Sequence, residues 1–314
     1  MLLFAIVFYW RQSAVRNFAG QADAPAEQDS SAEAESLGLG MGDEKVYGQE
    51  SERENTSQST DIALAFEQSN NLQNFLYEME IQSASGVGEA SRYIYKALEE
   101  CLHYTAIPDV YYDDQRAHVS AFESTASKQI AMHLLERAEA RCTSLYPRDP
   151  ITHDEMTEWL KLAANQGDLV AQVMLASRVV SGEIDNVVMD DSTVKHIIIK
   201  ALTSKQPEAI YEVAGFMSIP VLGRDALRSH YAGGQEHYVA WALAACDLGY
   251  PCSRGSPVMN KACLTLGACQ YGSLEQYFYD QVIPPAQVSQ IQRLRNEINM
   301  MFRDDDFEGV FIDG

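Results

Sequence analysis

The residues with the most chemistry to offer are six cysteines, at 101, 142, 246, 252, 263 and 269, and seven scattered histidines. Cys246, Cys252, Cys263 and Cys269 form two Cys-x5-Cys pairs flanking one stretch of chain. Thiolates at such positions do one of two things: they ligate a soft metal or they oxidise to disulfides. Zinc favours Cys-x2-Cys spacing or a nearby imidazole, and the histidine closest to this cluster is His237, so no metal is expected. An even number of cysteines in an exported chain reads as a disulfide framework, with free buried thiols of a cytosolic protein as the alternative. Connectivity does not follow from sequence by itself. If Trp241 to Gly249 and Pro257 to Leu266 are helices, Cys246 lies near a turn and Cys263 near a far end. That geometry favours Cys246 with Cys252 and Cys263 with Cys269 over nested pairs, and leaves Cys101 with Cys142 by elimination.

The other reactive residues do not assemble into a known constellation. His103, His118, His133 and His153 fall in four separate places, and the chain contains no His-Glu-x-x-His, Gly-x-Ser-x-Gly, phosphate-binding loop or kinase signature. His153-Asp154-Glu155 reads as the acidic start of a helix. Tyr111-Tyr112-Asp113-Asp114 reads as an exposed loop after Pro108, and Asp304 to Asp306 lacks the alternation of a calcium loop. No catalytic residue and no cofactor is therefore assigned. Catalytic residues need not be close in the chain, however, which keeps an enzyme as the alternative class.

The elements that would position these side chains follow from composition and pattern. With 314 residues, 46% of them hydrophobic, the chain can bury a core of one main helical domain of about 250 residues. A formal charge of −22 opposes phosphate binding, so no nucleic acid partner is expected. Residues 1–16 begin with MLLFAIVFYW, an apolar run half the length of a bilayer-spanning helix, read as a signal core or an anchor that attaches the protein to a membrane. Arg11 and Arg16 after this run would argue for a cytoplasmic body. The cysteines argue for an extracytoplasmic, periplasmic location with an inner-membrane anchor. Residues 17–60 are rich in Ala, Gln, Ser, Glu, Asp and Gly and are expected to form a disordered acidic linker.

Beyond the linker, helical spacing predicts an N-terminal helical region over 61–150, with helices over Asp61 to Glu80, Ser91 to Tyr104 and Ala117 to Tyr146. Thr152 and Glu155 make a capping box ahead of Met156, Trp159, Leu160, Ala163 and Ala164. Gly167-Asp168 then supplies a left-handed stop and the cap of a partner helix carrying Ala171 and Leu175. A shift of 38 residues places Ala163 on Ala201, Ala171 on Ala209 and Leu175 on Val213. A shift of 82 places Trp159 on Trp241, Ala163 on Ala245, Ala164 on Cys246 and Gly167 on Gly249. Residues 151–282 thus read as degenerate helical repeats with a Cys-rich last hairpin, and 283–314 as a final amphipathic helix with an acidic tail. The fold class is all-α: stacked antiparallel helical hairpins, a short α-solenoid.

The pattern WxxxAAxxGxxxAxxxL at 159–175 resembles the Sel-one-like repeats, relatives of the tetratricopeptide repeats, in degenerate form over 152–270. The usual closing Tyr and Gly-x-Gly-Val turn is absent; Val179 and Ser181-Gly182-Glu183 stand there instead. The resemblance implies adaptor work in envelope or secretion processes: a non-catalytic scaffold that binds a protein or peptide partner. The alternative is an envelope hydrolase or cell-wall-active accessory with its site between Asp61 and Pro150.

Overall fold

The computed structural model describes residues 62–311 apart from 147, 220–223 and 308. The chain divides into units 1–57 and 58–314, and all the described residues lie in the second. The expected apolar segment 1–16 and acidic linker 17–60 fall outside the described residues. Every named element is helical, and among the described residues strand geometry is limited to one isolated bridge between Ser253 and Ser273. No described helix is long and apolar enough to cross a membrane.

A helix over 62–68, α1, is followed by α2 (Leu72–Ala84), α3 (Gly88–Ala106), α4 (Pro108–Ser120) and α5 (Thr125–Thr143). The helices expected over 61–80 and 117–146 are each interrupted. Asn71 and Ser124 cap new helices by accepting from the backbone N–H of Asn74 and Ser127, so short polar side chains win locally over the apolar periodicity. The Tyr111 to Asp114 segment is part of α4 rather than a loop. Pro108 opens the helix instead of ending one, and Tyr112 is buried.

The repeat region consists of α6 (His153–Asn165), α7 (Leu169–Val180), α8 (Asp191–Ser204), α9 (Pro207–Met217), α10 (Gln235–Asp247) and α11 (Pro257–Leu266). A short α12 (Leu274–Tyr277) runs into a π-turn, and α13 (Val288–Asp304) follows. The stack runs α2 on α3, α3 on α6, α6 on α7, α7 on α9 with α8 alongside, α9 on α10, and α10 on α13. Three-residue or shorter turns join α6 to α7 and α8 to α9, which makes each pair an antiparallel hairpin. Helices α4 and α5 fold back: α5 packs on α3 and reaches α11.

The small residues sit where helices approach most closely. Ala163, Ala171, Ala201, Ala209 and Ala245 have no solvent exposure, and Ala164 and Leu175 are buried. The turns repeat as well. Gly167 and Gly249 have φ of 90° and 107°, and Lys205, at the equivalent position of the middle hairpin, keeps the left-handed conformation with φ of 53° although it carries a side chain. Position 168 also works as expected: Asp168 Oδ1 accepts from Ala171 N–H at 2.7 Å. The capping box forms only by half. Thr152 Oγ1 accepts from Glu155 N–H at 3.1 Å, while the Glu155 carboxylate turns to Arg148. The two tryptophans differ: Trp241 is fully buried and donates to Tyr231 O at 2.9 Å under Phe302 of α13, whereas Trp159 is half-buried.

The cysteines pair as Cys101–Cys142, Cys246–Cys252 and Cys263–Cys269, with Cα separations of 5.3, 5.7 and 4.3 Å. The first ties α3 to α5. The second ties the last turn of α10 to the middle of the 248–256 loop by which the last hairpin departs from the other two, and that loop is further held by Arg254 N–H to Gly272 O and Leu274 N–H to Cys252 O, each 2.9 Å. The acidic run that closes α13 is followed by apolar residues that pack: Phe307, Val310 and Phe311 are buried, and Lys195 Nζ lies 5.5 Å from the Phe311 ring.

Two alanine substitutions should shift stability in opposite directions. Gly167→Ala places a Cβ in open space but at φ of 90°, so urea unfolding should show a loss of about 1–2 kcal/mol. Gly215, inside α9, also faces open space at an ordinary helical φ, and Gly215→Ala should gain about 0.5–1 kcal/mol. Equal effects of the two would contradict the turn assignment.

Candidate functional site

Helix α9 is apolar on one side, where Ala209, Ile210, Val213, Ala214, Phe216 and Met217 enter the core. Its other side carries Glu208, Tyr211, Glu212 and Gly215 at i, i+3, i+4 and i+7, a single polar stripe. Facing it, α3 presents Arg92, Lys96 and Glu99 at i, i+4 and i+7. Tyr238 comes from α10, Tyr250 from the loop after Gly249, Arg178 from α7 and Lys261 from α11.

The tyrosines form a connected lining. The Tyr211 and Tyr250 rings stack with centroids 4.3 Å apart, and the Tyr211 and Tyr238 hydroxyls lie 3.1 Å apart. Tyr238 in turn meets Phe278 edge-on at 6.1 Å. Tyr211, Glu212, Tyr238 and Tyr250 all keep part of their surface exposed, yet burial is the largest influence on the ionisation of each. These side chains are packed yet stay partly in contact with solvent, and the surface they line is the candidate hollow. Gly215, one turn further along the α9 stripe, has open space where its side chain would be.

Most charges around this hollow are paired. Arg92 is buried and bonds Glu208 at 2.8 Å, Asp168 at 2.9 Å and Glu89 at 3.3 Å. Lys96 also bonds Glu208 and sits 4.9 Å from the Tyr93 ring centroid. Burial works against the Arg92 charge, but Glu208 and Asp168 outweigh it and hold the guanidinium firmly protonated. Likewise, burial opposes ionisation of Glu208, and Lys96 and Arg92 reverse the balance and lower its pKa. Arg178 lies 5.0 Å from the Tyr95 ring centroid and 3.3 Å from Glu99, and Tyr95 donates to Glu99 at 2.9 Å.

Glu212 is different. Among the described residues its side chain makes no hydrogen bond and no ion pair. Burial raises its carboxyl pKa; Lys96 opposes the rise, Glu208 and Glu99 add to it, and Lys261 opposes it more weakly.

The residues singled out from sequence are distributed otherwise. The repeat alanines lie in the core and the repeat glycines at the turns of the hairpins. The cysteines are all in disulfides and so have no thiolate to give a metal. Among the described residues no group of three His, Cys, Asp or Glu side chains is placed to hold a metal ion. His103 and His153 do come within electrostatic reach of each other, His103 lying 5.8 Å from Tyr111; burial first, and then His153, lower the His103 pKa. His133 is exposed on α5. Sequence reasoning passed over Tyr211, Glu212, Tyr238 and Tyr250. The signal that finds the first two is the polar stripe on an otherwise apolar α9. No family model matches the chain, and no curated protein and no solved structure matches it significantly.

The raised pKa of Glu212 fixes the sign of a pH effect. A carboxyl that holds its proton more tightly in the folded state stabilises the fold at low pH, and that contribution is lost as pH rises through the folded pKa. Glu212→Gln should therefore melt higher than the parent at pH 8, with the difference shrinking towards pH 4. A lower melting temperature at pH 8 would show that Glu212 has a stabilising partner in the fold.

Proposed function

We propose that the protein is a non-catalytic, extracytoplasmic scaffold or adaptor of the Sel-one-like kind that takes a peptide segment of a protein partner into the tyrosine-lined hollow. The observation that carries this reading is the hollow itself. Tyr211, Tyr238 and Tyr250, from α9, α10 and the loop after α10, meet there, and their rings and hydroxyl groups stay partly exposed. Tyrosine supplies a large contact area at small entropic cost and a polar tip for main-chain hydrogen bonds, which is why it is enriched where proteins bind peptides and other proteins. Stacked hairpins are suited to the task because each added pair extends the concave surface.

The compartment follows from the cysteines. Three disulfides point to an oxidising, extracytoplasmic setting. Within that setting we place the protein in the periplasm, held at the inner membrane by the apolar segment at 1–16 with the acidic linker as tether. The alternative of a site confined to 61–150 is less favoured, because the hollow draws on α3 from that region and on α7, α9, α10 and α11 from the repeats together.

Peptides selected from a random display library on the full chain should lose at least tenfold in affinity against Tyr238→Ala or Tyr250→Ala, about 1.4 kcal/mol or more. Selected binders indifferent to both substitutions would move the interaction to another surface. Peptide mapping without reductant should recover all six cysteines as three intramolecular bridges. Six free thiols would contradict the extracytoplasmic placement.

A further inference from the structure

The three disulfides differ in their access to solvent. Cys101, Cys142, Cys263 and Cys269 are buried, whereas Cys246 and Cys252 each keep part of their surface exposed. Cys252 also lies between exposed residues, Pro251 before it and Ser253, Arg254 and Gly255 after it. The ring of chain that Cys246–Cys252 closes contains Tyr250, whose side chain stacks on Tyr211 with centroids 4.3 Å apart. Both ends of that ring have anchors of their own. Gly249 N–H donates to Cys246 O at 3.0 Å and Tyr250 N–H to Ala245 O at 2.9 Å, which fixes the exit from α10. Leu274 N–H donates to Cys252 O and Arg254 N–H to Gly272 O, each at 2.9 Å, which fixes the far side. The sulfur–sulfur bond ties one anchor to the other across Tyr250 and Pro251.

We propose that Cys246–Cys252 is a redox switch on the tyrosine site: a dithiol protein of the same compartment reduces this bridge ahead of the other two, and the reduced loop binds the partner peptide more weakly. The inference rests on the peptide-binding reading above and names its regulation. Thiol–disulfide exchange needs an attacking thiolate in contact with one sulfur, so a partly exposed bridge reacts before buried ones. A thiolate of the dithiol attacks Cys252 Sγ, the bond to Cys246 breaks, and a mixed disulfide with Cys252 forms. Cys246 leaves as a thiolate and takes a proton; its sulfur lies 3.2 Å from Ala242 O, so the new thiol has an acceptor in place. The second thiolate of the dithiol then displaces Cys252, which is protonated in turn. Two electrons and two protons pass to the bridge, and the dithiol becomes a disulfide. Bonded sulfurs sit far closer than non-bonded atoms can, so the two thiols demand more room and residues 246 and 252 spread apart. Tyr250 lies in the segment that spreads, and its stack on Tyr211 loosens. The anchors on either side keep the helices in place, so the change stays local.

The test exposes the folded full chain to dithiothreitol, samples the reaction with N-ethylmaleimide and maps the labelled cysteines. Cys246 and Cys252 should be labelled together at roughly ten times the rate of the other four or faster, with the helical circular dichroism unchanged. At that stage amide hydrogen exchange between 248 and 252 should speed up about fivefold or more, and library peptides selected on the oxidised chain should bind about fivefold more weakly. Reoxidation with oxidised glutathione should restore both. The double variant Cys246→Ser, Cys252→Ser should reproduce the reduced state without reductant. Labelling of a buried pair first, or of all six in step with loss of helix, overturns the inference. So does selective opening of Cys246–Cys252 with exchange and affinity unchanged. If the library yields no binder, the peptide reading fails by itself, and the exchange between 248 and 252 still decides whether the bridge controls Tyr250.

Discussion

The Arg92 guanidinium is the contact on which the arrangement turns. It is almost wholly buried, and its three carboxylate partners come from three places: Glu89 from its own helix, Asp168 from the cap of α7, and Glu208 from the first turn of α9. A buried charge left alone costs several kcal/mol, so the groups around it are obliged to stay. That obligation joins α3 to two successive hairpins at a fixed depth. Gly88 makes the approach possible, since a side chain there would lie 3.0 Å from Ala163 O and 3.1 Å from Asp168. Asp168 also caps α7, which ties the ion network to the start of a helix. Glu208 is shared with Lys96 and opens the stripe that ends at Gly215. The floor of the hollow is thus set by the same interaction that holds the stack together. A smaller version exists at the other edge, where buried Arg141 pairs with Glu100 at 2.7 Å and donates to Phe66 O and Ser69 O.

The stack itself rests on two repeated devices. Alanines at equivalent positions let helix backbones approach, and a left-handed residue turns the chain at 167, 205 and 249. Lys205 shows that the turn geometry is imposed by packing, since a residue with a Cβ adopts it where glycine is absent; its side chain reaches Asp305, another left-handed residue, at 2.6 Å. The last hairpin departs from the pattern by the loop before α11. Cys246–Cys252 at the start of that loop and Cys263–Cys269 at the far end of α11 restrict the unfolded chain by about 2 kcal/mol each. Cys101–Cys142, closing a longer loop, contributes about 4 kcal/mol by the same reasoning and holds α5 where it can meet α11.

The helical hairpins were legible because their signals are local. Trp159 to Leu175 contains a cap, a turn glycine and small residues at helical spacing, and each acts on neighbours within a few positions. The cysteine pairing was legible for the same reason: six-residue separations leave few geometries. What was not legible depended on distant packing. Nothing near Tyr112 announces burial, because α4 is covered by elements elsewhere in the chain. The acidic run at 304–306 hid the apolar Phe307, Val310 and Phe311 that follow it. Trp159 and Trp241 look alike in sequence and differ in exposure because only the second is roofed by α13. The hollow was the hardest to foresee, since Lys96, Glu212, Tyr238 and Tyr250 come from four separate segments, and only the stripe on α9 hinted at it.

The ion network divides the acidic groups of the stack into two kinds. The framework charges, Arg92, Asp168 and Glu208, are satisfied internally; Glu212 is not. The most direct test of the account is the stability of Arg92→Met, which preserves much of the side-chain volume and removes the charge, measured by urea unfolding of the oxidised chain. If the guanidinium fixes α3 to the two hairpins, the substitution leaves buried carboxylates uncompensated and costs about 3–5 kcal/mol. A loss within about 0.5 kcal/mol, the range of ordinary surface substitutions, would contradict it.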